Sequence, residues 1–306
     1  MIQACKYDPY MTTAPNPDHK ADHKADHDGD HDALSARISL MRTLADRAGT
    51  VAMKRFQSLS LAVHAKADAS PVTEADLEIE SLLRGQIRAD FPEDGLLGEE
   101  HGAEEGTSGF RWVIDPIDGT ISFAAGVPLF GTLIGLERTD GTAREVVAGI
   151  CSMPALGECV WAARGQGAWW ERRGADGAIH RTEARVRPAV ALADALVCTS
   201  GLEYFDRAKR ADALVTVARA VRRLRGWSDC YGGMLVATGR VDAWFDPVMN
   251  PWDSGPFPVI LAEAGGVFTD WHGRVDIHGG SAVAAPPALH AELLALLKRD
   301  APGSPA

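Results

Sequence analysis

Residues 115–120, with the sequence Asp-Pro-Ile-Asp-Gly-Thr, constrain this chain more than any other stretch. The apolar run 112–114 predicts a strand that ends at two carboxylates, Asp115 and Asp118. Neighbouring carboxylates either raise each other's pKa or need a counter-charge, and a hard divalent cation is the usual one. Pro116 fixes the backbone φ and stiffens the turn. The pattern indicates a metal site, with an ordinary surface turn as the alternative that the residues leave open.

The next two residues of the motif add the features of an anion site. Gly119 permits a close backbone approach, and Thr120 is able to open a helix whose free N–H groups face an anion. Metal ligands beside an anion cradle indicate phosphate chemistry.

Length and composition narrow the class of function. The chain has 306 residues, enough for a sizeable core and two lobes around one cleft, and a net charge of -11 argues against nucleic-acid or membrane-surface binding. We find neither a transmembrane-length apolar stretch nor a signal-peptide pattern, so we expect a cytoplasmic protein. Its cysteines lack CxxC spacing and are expected to be reduced. They are Cys5, Cys151, Cys159, Cys198 and Cys230.

The chain is predicted to fall into three regions. Residues 1–31 are polar and repetitive, which predicts a disordered His/Asp-rich tail. Residues 32–188 are expected to form an α+β lobe with the metal site, and residues 189–306 an α/β lobe with the selectivity residues. Histidines recur every four residues in the tail, and both a weak transition-metal site and a solvated tail fit that spacing. They are His19, His23, His27 and His31.

Two helices are predicted before residue 91. Asp32 is a candidate N-cap for the first. Thr73 and Asp76 have the spacing of a capping box at the start of the second, and Asp76 lies near its apolar stripe. Asp76 is therefore either only a capping partner or a functional carboxylate. The stripe consists of Ile79, Leu83 and Ile87.

Further acids follow short apolar segments. Glu99 and Glu100 come after a predicted strand, which sends them to opposite sides so that only one reaches a given site. Asp246 also follows a predicted strand directly. Asp253 is a candidate N-cap for a helix over 257–264. Each of these acids has an ordinary structural explanation when it is considered alone.

The remaining segments indicate a mixed architecture. Apolar runs broken by glycine and polar turns predict an antiparallel sheet over 129–170. Strands then alternate with helices, including a long helix over 203–223 and a short one over 232–238, which favours an α/β arrangement.

In combination these motifs resemble the inositol monophosphatase superfamily of metal-dependent, lithium-sensitive sugar phosphatases. The resemblance begins near Ala33 and is carried by residues 98–100 (Gly-Glu-Glu), 115–120, 252–253 (Trp-Asp) and 263–266 (Glu-Ala-Gly-Gly). It implies an α/β (α+β) fold of the layered α/β/α/β/α sandwich type. It also implies a phosphoric monoester hydrolase that forms a homodimer.

The resemblance further implies that two to three Mg²⁺ ions bind in one site. Glu99, Asp115 and the carbonyl of Ile117 would hold the first ion. Asp115, Asp118 and Asp253 would hold the second, with Asp115 bridging the two. Carboxylate and carbonyl oxygens are the ligands that Mg²⁺ prefers.

The catalytic roles that the resemblance implies belong to Asp76, Thr120 and Glu99. Glu99 and Asp76 would take part in a third, looser ion site. The N–H groups of Gly119 and Thr120 would bind the phosphate. The Thr120 hydroxyl, paired with Asp76, would orient and help deprotonate the water that attacks phosphorus in line. We expect Lys66 to be a secondary electrostatic partner of this acidic cluster.

Finer features are similar to the histidinol-phosphate phosphatase branch of the superfamily. Histidinol phosphate carries an amine and an imidazole, so an acidic pocket is expected, and Asp229 and Asp246 lie where family members contact the non-phosphate part of the substrate. Two features depart from the branch: Gly-Trp-Ser-Asp at 226–229 replaces its Gly-Gly-Asp, and Trp252 is of the inositol type. The stretches that carry the similarity are 120–123 (Thr-Ile-Ser-Phe), 126–134, 229–231 (Asp-Cys-Tyr), 258–260 (Pro-Val-Ile) and 269–271 (Thr-Asp-Trp).

The sequence therefore predicts Mg²⁺-dependent hydrolysis of L-histidinol phosphate to L-histidinol and phosphate, in histidine biosynthesis. One rival keeps the chemistry and changes the substrate to myo-inositol 1-phosphate or a related sugar phosphate. Another is a regulatory binding protein on the same fold, although every metal-binding acid is present. The expected partner is a small phosphorylated substrate, with no nucleic acid and no membrane.

Overall fold

The structure is a computed structural model that describes residues 28–58, 63–65, 71–139, 141–227 and 229–299. The chain divides into two compact units, 1–36 and 37–306, and the architecture below concerns the second. Lys66 lies outside the described residues, as do His19, His23 and His27 and the side chain of His31. Their predicted roles stay predictions.

Helix starts and ends follow the predicted capping only in part. Thr73 caps α2 and Asp76 completes the capping box, as predicted. The start predicted at Asp32 is wrong, because α1 already begins at Asp28, and no proline in 28–31 stops the helix from continuing upstream. The helices are α1 Asp28–Arg55, α2 Glu74–Asp90, α3 Thr120–Ala124, α4 Leu202–Arg207, α5 Ala211–Ala220, α6 Cys230–Ala237, α7 Pro251–Ser254, α8 Phe257–Glu263 and α9 Pro287–Arg299, with a 3-10 turn at Leu192–Asp194.

The strands form two large sheets and one small pair. They are β1 Val63–Ala65, β2 Pro71–Thr73, β3 Gly95–Gly98, β4 Gly102–Glu104, β5 Phe110–Asp118, β6 Gly131–Thr139, β7 Arg144–Met153, β8 Glu158–Ala163, β9 Ala168–Arg173, β10 Ile179–Glu183, β11 Leu196–Cys198, β12 Arg223–Arg225, β13 Ala243–Asp246, β14 Val267–Thr269 and β15 Ala282–Ala285. Within the described residues, the first large sheet has eight strands in the order β10-β9-β8-β7-β6-β5-β3-β4. Its strands pair antiparallel except β3 with β5, which confirms the antiparallel sheet predicted over 129–170.

The second large sheet is mixed. Its order is β12-β11-β13-β15-β14, with parallel pairing of β11 to β12 and β13 and antiparallel pairing of β15 to β13 and β14. Its strands lie between residues 196 and 285, whereas those of the first sheet lie between 95 and 183. The division into lobes at 188 stays a prediction.

Helices cover both sheets and also separate them. α2 packs on β5, and α6 and α8 contact both sheets from the space between them. α5 and α9 pack on the far side of the second sheet. This order of layers is the predicted α/β/α/β/α sandwich. The inner core includes Val113, Met234, Trp244, Ile260 and Phe268, and the outer core includes Phe205, Val217, Phe245, Leu289 and Leu293.

The long helix predicted over 203–223 is wrong. α4 ends at Arg207 and α5 begins at Ala211, because Lys209 adopts a left-handed backbone with a φ of 56°. The segment then leaves helical geometry again after Ala220 and forms β12 beside β11. Apolar spacing continues through both breaks, which explains why the pattern suggested one helix.

No helix in the described part of the chain is long and apolar enough to cross a membrane.

Candidate active site

The end of β5 brings two predicted metal ligands together. Along a regular strand, residues three apart point to opposite faces. The pairing of β5 with β6 is irregular between Asp115, which lies opposite Leu133, and Asp118, which lies opposite Gly131. An extra residue of this kind re-aims the side chains beyond it. The two carboxylates converge, and oxygens of Asp115, Asp118 and Asp253 all lie within 4.8 Å of one another.

Asp253 reaches this point on the short helix α7. Its Oδ2 accepts hydrogen bonds from Asn250 N (2.7 Å) and Asn250 Nδ2 (3.2 Å). The prediction that it caps a helix over 257–264 is wrong, because Asn250 and Asp253 close a capping box one helix earlier. Gly135 allows the end of α7 to press on the sheet, since a Cβ there would lie 2.6 Å from the Gly255 carbonyl oxygen.

Burial and mutual repulsion perturb these acids. Asp115 is 1% exposed, and its Oδ1 has no hydrogen-bond partner among the described residues. Loss of solvation raises the pKa of Asp115 well above its ordinary value, and the charges of Glu99 and Asp118 raise it further. Burial likewise raises the pKa of Asp118, and it raises the pKa of Asp253 to about 7. Such a cluster needs positive charge.

Mg²⁺ fits this donor set. The cluster offers carboxylate oxygens in close proximity, and the buried Asp115 Oδ1 without a protein donor is an atom that a cation would satisfy. Oxygen-only coordination favours a hard ion, whereas zinc and copper sites usually contain nitrogen or sulfur.

Asp76 is a capping partner that also faces this group. Its Oδ2 accepts hydrogen bonds from Thr73 N (2.8 Å) and Thr73 Oγ1 (2.6 Å). Its Oδ1 lies 3.5 Å from Thr120 Oγ1, which makes a shorter contact of 3.0 Å to the Ile117 carbonyl oxygen. Burial, opposed by the Thr73 hydrogen bonds and reinforced by Glu99, raises the pKa of Asp76 to about 6. A carboxyl group with this pKa exchanges a proton near neutral pH.

Glu99 approaches the group from the turn after β3. Its N–H donates to the Ile114 carbonyl oxygen (3.3 Å), which ties the turn to β5 next to Asp115. The negative charge of Glu99 contributes to the raised pKa values of Asp76, Asp115 and Asp253. Its carboxylate therefore lies close to all three.

Gly119 occupies the turn between β5 and α3 for a steric reason. Its φ is 82°, a left-handed conformation that favours glycine. A Cβ at this position would lie 2.8 Å from the Leu129 carbonyl oxygen, so the chain packs too closely for a side chain. Thr120 then begins α3, as the motif predicted.

Asp229 lies beside this turn. A Cβ on Gly119 would be 3.3 Å from Asp229 Oδ2, and the next residue, Cys230, donates its N–H to Asp118 Oδ2. Burial, followed by the charges of Asp246 and Glu203, raises the pKa of Asp229 to about 7. Its backbone has a φ of 60°, a conformation that costs energy for a residue with a side chain.

Asp246 lies behind Asp229 in the core. It is 2% exposed, and its Oδ1 accepts hydrogen bonds from Thr199 Oγ1 (3.0 Å) and Ser200 N (2.6 Å). Its Oδ2 accepts one from Trp244 Nε1 (2.6 Å). These bonds hold the carboxylate in place and leave it less accessible than Asp229 to a bound molecule.

Sequence reasoning missed two side chains near the group. Tyr204 of α4 lies close to Asp229 and Asp118, and burial, followed by their charges, raises its pKa. Glu80 is fully buried on α2 and accepts a hydrogen bond from Glu100 N (2.7 Å). Its position four residues after Asp76, on the same helix face, is a signal that the pattern contained.

Comparison with known proteins agrees with this architecture. A family model described as the Inositol monophosphatase family matches residues 34–301. A histidinol-phosphatase of Streptomyces coelicolor is 39% identical over 262 residues, which cover 86% of this chain and 97% of that protein. An inositol-1-monophosphatase of Mesorhizobium japonicum is 30% identical over 274 residues, which cover 87% of this chain and 98% of that protein.

A solved structure has the same fold. The extragenic suppressor protein suhB of Bartonella henselae superposes with a TM-score of 0.75 at 27% identity and covers 86% of this chain and 99% of its own. The chain belongs to the inositol monophosphatase family. It is a phosphoric monoester hydrolase, and enzymes of this family are generally Mg²⁺-dependent.

Proposed function

We propose that this chain hydrolyses L-histidinol phosphate to L-histidinol and phosphate, using two to three Mg²⁺ ions. The convergence of Asp115, Asp118 and Asp253 within 4.8 Å, with an unsatisfied oxygen on Asp115, is the observation that carries the hydrolase. The similarity to histidinol-phosphatases over most of the chain and the acid Asp229 beside the cluster support the substrate.

The metal-holding roles divide among residues that meet at the end of β5. Glu99, Asp115 and the Ile117 carbonyl would hold one ion, and Asp115, Asp118 and Asp253 would hold another. Glu99 and Asp76 would contribute to a third. When bound, Mg²⁺ supplies Lewis-acid stabilisation of the phosphoryl and leaving oxygens and lowers the pKa of water.

Asp76 and Thr120 accept the proton that the attacking water loses. Asp76 Oδ1 lies 3.5 Å from Thr120 Oγ1, so a small approach lets the hydroxyl donate to the carboxylate and accept from water on its other side. With a pKa of about 6, Asp76 is mostly ionised at pH 7.5 and able to receive the proton. The N–H groups of Gly119 and Thr120 hold the phosphate that is attacked.

Asp229 supplies substrate selectivity. Histidinol is a cationic leaving group with an amine and an imidazole, whereas inositol is neutral. A carboxylate at Asp229, supported from behind by Asp246, pairs with a cation through a charge-assisted hydrogen bond. Direct contact between Asp246 and substrate is also part of the proposal, although Asp246 first has to give up one of its three hydrogen bonds.

The test is phosphate release from L-histidinol phosphate and from myo-inositol 1-phosphate, each with Mg²⁺ and with EDTA. We expect Mg²⁺-dependent turnover that favours histidinol phosphate. D229N should raise KM for histidinol phosphate by about 10- to 100-fold, the value of one charge-assisted hydrogen bond, and should change KM for the inositol ester little. D206N, at an exposed acid on α4, is the matched control and should behave like the unmodified chain.

A second candidate is hydrolysis of inositol 1-phosphate or a related sugar phosphate. The 30% identity to an inositol-1-monophosphatase and the Trp252-Asp253 pair favour it. A preference for the inositol ester that D229N leaves intact would replace the histidinol substrate and keep the metal site. Turnover of neither ester would indicate a different phosphate ester as substrate or favour the regulatory binding protein.

Two further properties remain proposals. A homodimer is proposed from the family, and its mass in solution by light scattering tests it. A cytoplasmic location is proposed from cysteine usage: Cys151, Cys159, Cys198 and Cys230 form no disulfide among the described residues. A fluorescent fusion in cells tests the location.

A further inference from the structure

We propose that Glu80 is a positioning residue: together with Arg84 it holds the turn that carries Glu99, and it thereby sets the affinity of the site for Mg²⁺. This inference rests on the proposed function, because it takes Glu99 as a metal-holding residue. Glu80 itself is not among the residues proposed to hold the metal.

Glu80 is hydrogen-bonded to the backbone immediately after Glu99. It is fully buried, and its Oε2 accepts a hydrogen bond from Glu100 N (2.7 Å), while its Oε1 accepts one from His101 N (3.1 Å). On the other side of Glu99 the chain is already fixed, since the Glu99 N–H donates to Ile114 O (3.3 Å). The turn is therefore held on both sides of the residue that points into the site.

Arg84 supplies the charge that allows this carboxylate to be buried. Its Nε donates to Glu80 Oε1 at 2.7 Å, and its side chain is 2% exposed. The same guanidinium donates to Glu104 Oε1 (2.8 Å) and to the Gly102 carbonyl oxygen, both on β4. One planar group thus connects α2 with the strand that follows the turn. A buried ion pair of this kind is stable when its remaining donors also have partners.

Gly98 shows how closely the pair is fitted to the turn. A Cβ at Gly98 would lie 2.1 Å from Glu80 Oε1, which is far inside van der Waals contact and would be a severe steric clash. Glycine before Glu99 is therefore the residue that lets the Glu80 carboxylate reach the backbone of the turn. The Gly-Glu-Glu motif and the buried glutamate on α2 form one unit.

Helix α2 carries two carboxylates toward the same site. Asp76 lies in its first turn and faces Thr120, and Glu80 lies one turn later on the same face. Both are fully buried. The first lies beside the acid cluster, and the second fixes the approach of Glu99, so a displacement of α2 would alter both.

The experiment is a calorimetric titration of the purified chain with Mg²⁺. E80Q keeps the volume of the side chain but presents an amide where one backbone N–H needs an acceptor. We expect E80Q to weaken Mg²⁺ binding by about 10-fold or more, as is typical when a group that orients a metal ligand is removed. At saturating Mg²⁺, kcat should recover, because Glu99 itself is still present.

The matched control is E137Q. Glu137 is also a buried glutamate, 2% exposed, and its Oε2 accepts a hydrogen bond from Arg111 Nε at 2.6 Å on the same sheet. Its loss should lower the free energy of unfolding much as E80Q does and leave Mg²⁺ affinity unchanged. Equal loss of Mg²⁺ affinity in both variants would overturn the proposal, since it would reduce the effect to general destabilisation.

E80D covers the case in which E80Q does not fold. It keeps the charge opposite Arg84 but cannot reach both N–H groups of the turn, so Mg²⁺ binding should still weaken by at least about 3-fold. Affinity like that of the unmodified chain in E80D would overturn the proposal and leave the proposed function standing. Absence of Mg²⁺ binding in the unmodified chain would overturn both.

Discussion

Two buried acid sites lie at opposite ends of β5. One has a cationic partner within the protein, and the other is surrounded by further acids. Near the start of the strand, Asp94 is 7% exposed and accepts two hydrogen bonds from Arg37 (2.7 and 2.8 Å), one from Ser108 (2.6 Å) and one from Trp112 (2.8 Å). At its end, Asp115 is buried beside other acids, and its Oδ1 has no partner among the described residues.

The difference separates an acid with a structural counter-charge from one that we propose is functional. The guanidinium that neutralises Asp94 lies 4.3 Å from the Phe91 ring centroid and 4.1 Å from that of Phe110, so its counter-charge is built into the core. At Asp115 the chain instead gathers like charges. Burial is common to both sites, and the missing counter-charge is what makes Asp115 the candidate for binding a ligand.

The largest expected effect comes from removing the central acid of the cluster. D115N should lower kcat/KM by on the order of 10³-fold, because it removes a key electrostatic contribution to the transition state. The fold should remain, and the metal-free protein should be no less stable, since a source of repulsion is lost. Phosphate release and urea denaturation measure the two properties. Activity near that of the unmodified chain would exclude Asp115 from the site.

A substitution near the start of β5 should instead lower the stability of the folded chain. D94N leaves Arg37 buried without its carboxylate and gives Trp112 and Ser108 a poorer acceptor, so the free energy of unfolding should fall by about 3 kcal/mol. The folded fraction should bind Mg²⁺ with unchanged affinity. Urea denaturation and calorimetry test this, and a weakened Mg²⁺ affinity in D94N would show that the two ends of the strand are not independent.

Metal binding itself should distinguish the two sites. Mg²⁺ at 100 times its dissociation constant should stabilise the folded chain by about 2.7 kcal/mol, by mass action. The shift in melting temperature should persist in D94N, disappear in D115N and be reversed by EDTA. Differential scanning calorimetry with Ca²⁺-free buffers measures it. A shift of equal size in D115N would place the ion elsewhere.

The last prediction concerns pH. Burial raises the pKa of Asp253 to about 7 and that of Asp76 to about 6, from an ordinary value of 3.8, so the metal-free folded chain binds more protons than the unfolded chain. The stability that these groups contribute is fully present below pH 3.8 and is lost as pH rises through about 7.

Mg²⁺ affinity has the opposite dependence, because the ion needs ionised carboxylates. It should rise by roughly 10-fold per pH unit for each proton displaced, between about pH 5.5 and 7.5. Calorimetry in two buffers of different ionisation enthalpy counts the released protons. A dissociation constant for Mg²⁺ that is equal at about pH 5.5 and about pH 7.5, with no proton release, would contradict these raised pKa values.

Local signals predicted local features of the site well. The Thr73 and Asp76 capping box depends on residues three apart, and the structure confirms it. The long helix over 203–223 failed because apolar spacing carries no information about the left-handed turn at Lys209. Glu80 was missed because its partner, the turn after β3, lies some twenty residues away along the chain.

The sequence by itself determined which residues are candidates for the chemistry, since carboxylates in a turn with proline and glycine are a property of adjacent residues. Only the tertiary structure decided how they meet. The irregular pairing of β5 with β6 turns Asp115 and Asp118 to one side, and α7 brings Asp253 to them from a distant part of the chain. Packing of separate elements sets these distances, and no local propensity encodes them.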